Sequence, residues 1–317
     1  MASSADTLVT ATAPPAALPR RRKGPGRRAR RGRAGYLFVA PFLLFFAAAF
    51  IAPLAYAAYT SLFRTRLVGG TVFAGLQNYR EVLHDKAFRD GVLRMARFLV
   101  TQVPIMLVLA VAFALAIDSG RLWGPRFVRL SIFLPYAVPS AVAALMWGYL
   151  YGPSFGPITQ LADNLGVTAP NLLSGGWMLP SIANIVTWEF VGYNMIIFYA
   201  VLRAIPAELY EAAAVDGAGP VRVAVHIKLP ALRPALGLTA IFSIIGTFQL
   251  FTEPSIMHTV APNVINRSYT PSLYAYNLAF TDQRLNYAAA LSFAMGAVIV
   301  IVTAAFVLVF SRRRARS

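Results

Sequence analysis

IPAELYEAAAVDGAGPVRVAVHIKLPALRP occupies residues 205–234, between two long apolar runs. Most of it can be read from local chemistry. Pro206 stands at a helix start, where a missing backbone donor costs nothing. AELYEAAAV (207–215) is built from strong helix formers. Asp216-Gly217-Ala218-Gly219-Pro220 is a turn in which glycine can take positive φ. A second short helix is expected after it, with Pro230 and Pro234 marking the entry to the next apolar run. With little charge and many small residues, the first helix suits close approach by a second protein.

The surrounding chain belongs in a membrane. Its 317 residues are 58% hydrophobic and 13% charged, with a mean hydropathy of +0.60, too little charge to cover a soluble surface of that size. A bilayer core takes about 20 residues of helix. Six apolar stretches reach that length, at residues 36–59, 98–117, 130–151, 179–202, 235–251 and 287–310. The fifth is the shortest and can extend at either end. The expected fold is an all-α integral membrane protein with six transmembrane helices. Pro135 and Pro139 fall in the third span, Gly192 in the fourth and Gly246 in the fifth. Such residues mark either ordinary kinks or breaks satisfied by neighbouring helices or a wet cavity.

The net charge is +17, but the basic residues lie between apolar runs rather than along one face, so nucleic acid is not the expected partner. Residues 1–35 end in PRRRKGPGRRARRGR and have no apolar periodicity, so a disordered basic tail is expected. The apolar run after it is too long for a signal-peptide core, despite the small-x-small Ala55-Tyr56-Ala57. It is expected to be an uncleaved first helix. With that tail inside, 20 of the 29 lysines and arginines fall on the inner side. Both termini, including a second basic tail at 312–317, are therefore expected in the cytoplasm. The first outer loop is an exception, with seven basic residues. There Tyr79, Leu83, Ala87 and Phe88 share a helical spacing that suggests a short amphipathic helix.

Several chemistries drop out. There is no cysteine, hence no disulfide or thiolate site. His84, His226 and His258 are far apart, and no metal site is expected. Gly152-Pro153-Ser154-Phe155-Gly156 fits a hydrolase pattern, but it sits in a loop-like Pro/Gly setting without the strand-to-helix turn that gives the pattern meaning. Asn266-Arg267-Ser268 is a formal sequon and carries no information. No phosphate-binding G-x-x-x-x-G-K-[ST] occurs, so no nucleotide cofactor is expected in this chain.

The loop at 205–230 resembles the signature of binding-protein-dependent ABC importer permeases, E-A-A-x3-G-x9-I-x-L-P. Glu211, Ala212, Ala213, Gly217, Ile227, Leu229 and Pro230 stand at the family spacing. Asp216-Gly217-Ala218 matches the extended form of the sugar-permease branch; Ala224, where that branch commonly has an aromatic, departs from it. APFLLFFAAAFIAPLAYAAYTSLF (40–63), FAGLQNYREVLHDKAF (73–88), LPYAVPSAVAALMW (134–147) and FQLFTEPSIM (248–257) are similar to first permease subunits of the maltose and glycerol-phosphate type. The resemblance implies a type I importer permease domain over 36–311 with its coupling helix in the loop. It also implies a bacterial inner-membrane location, a second homologous permease, and two ATP-binding subunits that supply ATP, Mg and hydrolysis. An extracytoplasmic solute-binding protein would deliver a sugar, or alternatively glycerol phosphate or another polyol. Glu211 would meet a basic residue of the ATPase, and Gly217 would set the bend. A secondary transporter would instead show paired repeats and buried ion-coupling charges, and a membrane-embedded hydrolase would need a base near Ser154.

One residue outside the loop stands out. Glu189 lies mid-span in IVTWEFVGYNM, where a carboxylate is costly unless it faces a cavity or a partner. A substrate or gating role and a structural pairing both remain open. Trp188, Tyr193, Asn194 and Gln249 can join it in a polar, stacking-capable site, since sugars offer hydroxyls to amides and apolar faces to aromatics.

Overall fold

The computed structural model describes residues 27–66, 69–120 and 122–314. Among these described residues, those up to Ala55 form one compact unit and those from Tyr56 onward a second. In the first, α1 (Arg27–Phe46), a π turn (Ala47–Ile51) and the start of α2 (Ala52–Ser61) form a continuous helix. Pro53 brings no backbone donor, and the turn before it widens so that the Ala52 N–H reaches the Ala47 carbonyl, the usual way a π bulge absorbs a local break. Phe42, Phe46 and Phe50 stack at four-residue spacing, with centroids 6.0 and 5.1 Å apart. Of the tail expected to be disordered, residues 1–26 lie outside the described residues. From Arg27 on its backbone is helical, because alanine and arginine favour a helix once one is nucleated by the span that follows.

The second unit continues through a two-stranded antiparallel hairpin, β1 (Phe63–Arg66) with β2 (Gly70–Phe73). The amphipathic helix expected across Tyr79 to Phe88 is two elements, α3 (Gln77–His84) and the start of α4 (Lys86–Asp118). Asp85 separates them. Its carboxylate accepts the Ala87 and Phe88 N–H groups at 2.8 and 3.4 Å, which is N-cap chemistry. The second span is accordingly 33 residues long, well beyond its apolar stretch.

The third span is broken. α5 (Pro125–Phe133) with a 3-10 turn (Leu134–Ala137) meets α6 (Ser140–Leu150) at 99°. Pro139 drives Val138 into extended backbone and stands itself at the N-cap of α6, as the restriction on residues preceding proline requires. A short α7 (Pro157–Asn164) leads to α8 (Met178–Arg203), the fourth span. Gly192 does not break it. A Cβ at that position would lie 2.0 Å from the Ile132 carbonyl oxygen, so glycine is there to let the α5 backbone touch α8.

After α9 (Ala207–Val215), the expected second short helix is not separate. α10 (Pro220–Val223), a π turn (Ala224–Lys228) and α11 (Leu229–Phe248) make one 29-residue span, Pro220–Phe248. Pro230 follows a wide turn in which the Leu229 N–H reaches the Ala224 carbonyl, and Pro234 lies inside α11. α12 (Thr252–Val260), α13 (Pro271–Tyr276) with a π turn (Asn277–Thr281), and α14 (Leu285–Arg314) complete the described chain. Among the described residues five helices are long and apolar enough to cross a membrane, and six spans result when the bent α5–α6 pair counts as one. The all-α six-span expectation holds.

α4 and α8 pack along one another, with α11 against both. Met95, Phe98, Ile182, Ile185, Phe248 and Leu291 build the core of one half. Met106, Ala110, Met195, Phe198, Leu202 and Leu232 build the other, towards α9. Val100, Val108, Leu238, Val300 and Ile301 stay exposed, as apolar residues do where lipid takes the place of water.

Candidate functional site: an exposed helix and an interhelical cavity

The loop helix is shaped by its own sequence. Pro206 is extended at the N-cap (φ −57°, ψ 140°), and Glu208 sits in the first turn of α9, where the helix dipole favours an acid. At the other end Gly217 takes φ +68°. The Ala218 N–H reaches the Ala213 carbonyl at 2.8 Å and the Gly217 N–H the Ala214 carbonyl at 3.1 Å, the paired bonds of a Schellman cap. Pro220 then starts the fifth span. Glu211, Ala212, Asp216 and Gly217 are exposed, while Ala213, Ala218, Ile227, Leu229 and Pro230 are half-buried. The motif residues thus split into an outward helix face and an inward anchor.

That anchor is electrostatic as well as apolar. Lys228 donates to Asp118 Oδ2 at 2.5 Å, and the two side chains are only 15% and 8% exposed. The Lys228 ammonium also lies 5.6 Å from the centre of the Tyr210 ring. Burial lifts the Tyr210 phenol above its ordinary range; the Asp118 charge adds to this and Arg203 opposes it. α9, the start of the fifth span and the end of the second are therefore tied together at one point.

A cavity of about 350 Å³ lies between α4, α8, α11 and the start of α12. Tyr193, Asn194 and Gln249 line it, together with Gln102, Thr247 and Glu253 and the rings of Phe98, Phe190, Phe242 and Phe251. Asn194 is buried and donates to the Phe190 carbonyl at 2.9 Å. Tyr193 stacks on Tyr136 at 4.8 Å, and Gln249 is exposed. Trp188 does not line the cavity; it packs edge-on against Trp147 at 5.8 Å.

Glu189 is buried behind the wall, 3% exposed. The polar groups beside it are Glu253 and Ser140, yet neither of its carboxylate oxygens completes a hydrogen bond within the described chain. Glu253, itself 5% exposed, lines the cavity. Sequence reading missed Glu253, which follows the fifth span in FTEPSIM and reads there as a loop carboxylate.

A family model, "Binding-protein-dependent transport system inner membrane component", matches residues 83–316. The chain belongs to this family. Among relatives of this permease, the probable ABC transporter permease protein YurN of Bacillus subtilis is 29% identical over 85% of this chain and 92% of its own. The diacetylchitobiose uptake system permease protein NgcF of Streptomyces coelicolor is 30% identical over 75% and 70%. The sn-glycerol-3-phosphate transport system permease protein UgpA of Salmonella choleraesuis is 30% identical over 84% and 90%. A solved bacterial ABC transporter involved in import of the acidic polysaccharide alginate superposes with a TM-score of 0.78, covering 89% of this permease and 96% of that chain. At 17% identity that likeness speaks for the fold alone. As an ABC permease the chain is a transport subunit.

Proposed function

We propose that this permease moves a sugar across the bacterial inner membrane by alternating access, driven by ATP-binding subunits that dock on α9. The observation that carries this reading is the Schellman-capped helix bearing Glu211, exposed on one face and fixed through Lys228 and Asp118 to two spans. A rigid helix joined to the spans transmits a push; a floppy loop would dissipate it. ATP shifts such an equilibrium only by binding the closed arrangement of its subunits better than the open one. Both termini and α9 face the cytoplasm in this reading, in keeping with the distribution of basic residues. One coupling helix per permease calls for a second, homologous permease, and an extracytoplasmic binding protein delivers the cargo. Sugar is favoured by the cavity lining, where Asn194, Gln249, Gln102 and Tyr193 offer hydrogen bonds beside four phenylalanine rings, and by the transport of diacetylchitobiose named for one relative.

The test is a purified complex, tagged on this chain, in proteoliposomes. Co-purifying ATP-binding subunits and ATP-dependent uptake are expected. Glu211→Ala is expected to abolish uptake and cargo-stimulated hydrolysis while leaving the subunit in the membrane. Uptake that ignores ATP and follows an ion gradient would overturn the reading in favour of a secondary transporter.

A further inference from the structure

We infer that Phe251, Tyr276 and Phe280 form an aromatic path that hands pyranose rings from the outer surface into the cavity; this rests on the cavity being the sugar pathway. Phe251 lines the cavity, and its ring lies 5.1 Å, centre to centre, from that of Tyr276. Tyr276 in turn lies 4.9 Å from Phe280. Both outer rings are open, Tyr276 at 47% and Phe280 at 64% exposure, so the row starts on the cavity wall and ends at the surface. The chain holds it in register. The Thr270 hydroxyl donates to the Leu250 carbonyl at 2.9 Å and the Ser272 hydroxyl to the Phe248 carbonyl at 3.1 Å, which hangs α13 on the end of the fifth span. Pro271, Leu273 and Leu278 are buried, which leaves Tyr276 and Phe280 on the free face. The π turn that carries Phe280 is a helix irregularity of the kind found at functional sites.

A pyranose has apolar C–H faces edged by hydroxyls, and aromatic rings beside a few polar groups fit that shape. Gln249 and Thr252 flank Phe251 on the cavity wall, and Thr281 and Gln283 are exposed next to Phe280. Hydroxyls are thus met at both ends of the row. The rings are tilted by 54° and 40°, so each offers a face of its own. Several weak sites in series let a solute advance without being trapped. Lone interfacial aromatics that anchor a helix in lipid need no such continuity with a cavity. Glycerol phosphate has no ring face to lay on this row, so the path selects a cyclic saccharide over that cargo.

The test places 4-fluorophenylalanine at residue 251 or 280 of the full complex in nanodiscs and follows the fluorine resonance. Methyl β-glucopyranoside is the probe, and sorbitol, an acyclic polyol, is its control. The glucoside is expected to shift both resonances and sorbitol neither. The same label at Phe73, exposed on the outer hairpin against Phe63, should stay still. Tyr276→Leu keeps apolar bulk but loses the flat face. In that background the glucoside concentration that half-shifts residue 251 should rise about fivefold, as loss of one aromatic contact gives. Equal shifts by glucoside and sorbitol, silence at residue 251 or 280, or an unchanged midpoint in Tyr276→Leu would overturn the path. So would broadening of residue 280 by a doxyl-labelled phospholipid without a glucoside shift, which marks a lipid-facing belt. ATP-dependent uptake with silent fluorines would remove the path and leave the transport reading. Glucoside shifts with uptake driven by an ion gradient would remove the ATP coupling and leave the path.

Discussion

Lys228 and Asp118 are 110 residues apart in sequence and 2.5 Å apart in space. They join the foot of the fifth span to the end of the second, immediately beside the loop helix. Both side chains are largely withdrawn from water, so removing one leaves an uncompensated charge rather than a lost surface pair. Asp118→Ala is expected to cost about 3 kcal/mol, read as a lowered unfolding temperature of the detergent-solubilised permease. Exchanging the two residues, Asp118→Lys with Lys228→Asp, should recover part of the loss. If the exchange is no better than the single variant, the pair is not what anchors α9.

Two glycines separate turn chemistry from close packing. Gly217 has positive φ and open space where a Cβ would go, so Gly217→Ala pays only the left-handed penalty, about 1–2 kcal/mol, and Gly217→Asn less. Gly192 has ordinary helical backbone but the Ile132 carbonyl against it, so Gly192→Ala must push α5 away at about 3 kcal/mol. Uptake measured against membrane-inserted protein distinguishes them. The Gly217 variants should insert normally and transport poorly, while Gly192→Ala should reduce the amount of folded permease.

What the sequence made legible was what chemistry places locally. The helix at 207–215, its glycine stop and the apolar spans follow from propensity, turn residues and length. Tyr193 and Asn194 lie on the cavity wall by helical position alone. The pairings were not legible. Glu253 becomes buried only because α12 folds back onto α6, and nothing in FTEPSIM announces that. The sequence suggested Gln249 as a companion for Glu189; it faces the cavity instead, and Glu253 takes its place. The even spacing of Tyr79, Leu83, Ala87 and Phe88 concealed a helix boundary, although Asp85 directly before Lys-Ala-Phe is an N-cap signal that could have revealed it. Pro139 was visible as an interruption, but a kink and a 99° turn read alike until the neighbours are known.

Tyr210 carries a buried hydroxyl without a hydrogen-bond partner. Replacing it by phenylalanine removes an unpaired polar group and keeps the ring near Lys228. Tyr210→Phe is expected to stabilise the isolated permease by about 1 kcal/mol. It should also alter the alkaline limb. Since the folded phenol titrates above its ordinary range, the unfolded chain releases its proton first as pH rises past about 10, and folding stability falls there. Below that pH the group contributes no slope. Thermal unfolding from pH 8 to 11 should show a shallower alkaline decline for the variant than for the native chain; identical declines would assign the slope to other groups.

Asp85 supports more of the far end of the bundle than any single pairing there. One carboxylate oxygen caps α4 through the Ala87 and Phe88 N–H groups. The other accepts the Tyr274 hydroxyl at 2.8 Å and the Tyr287 hydroxyl at 2.9 Å, so α4, α13 and α14 meet on one side chain. Burial, reinforced by Asp85, holds the Tyr274 phenol above its ordinary range, and it stays a donor at any working pH. Asp85→Ala removes the cap, worth about 1 kcal/mol, and strands two hydroxyls, for a total of about 3 kcal/mol. Asp85→Asn keeps an acceptor for the cap, and both hydroxyls can turn, so its cost should be about a third of that. The decisive measurement is a double-mutant cycle with Tyr287→Phe. If the carboxylate is the shared acceptor, Asp85→Ala should cost at least about 0.5 kcal/mol less in the phenylalanine background, because no buried hydroxyl is then left behind on α14. Strict additivity would mean that the two residues are merely neighbours, and that α14 is held at this end by packing alone.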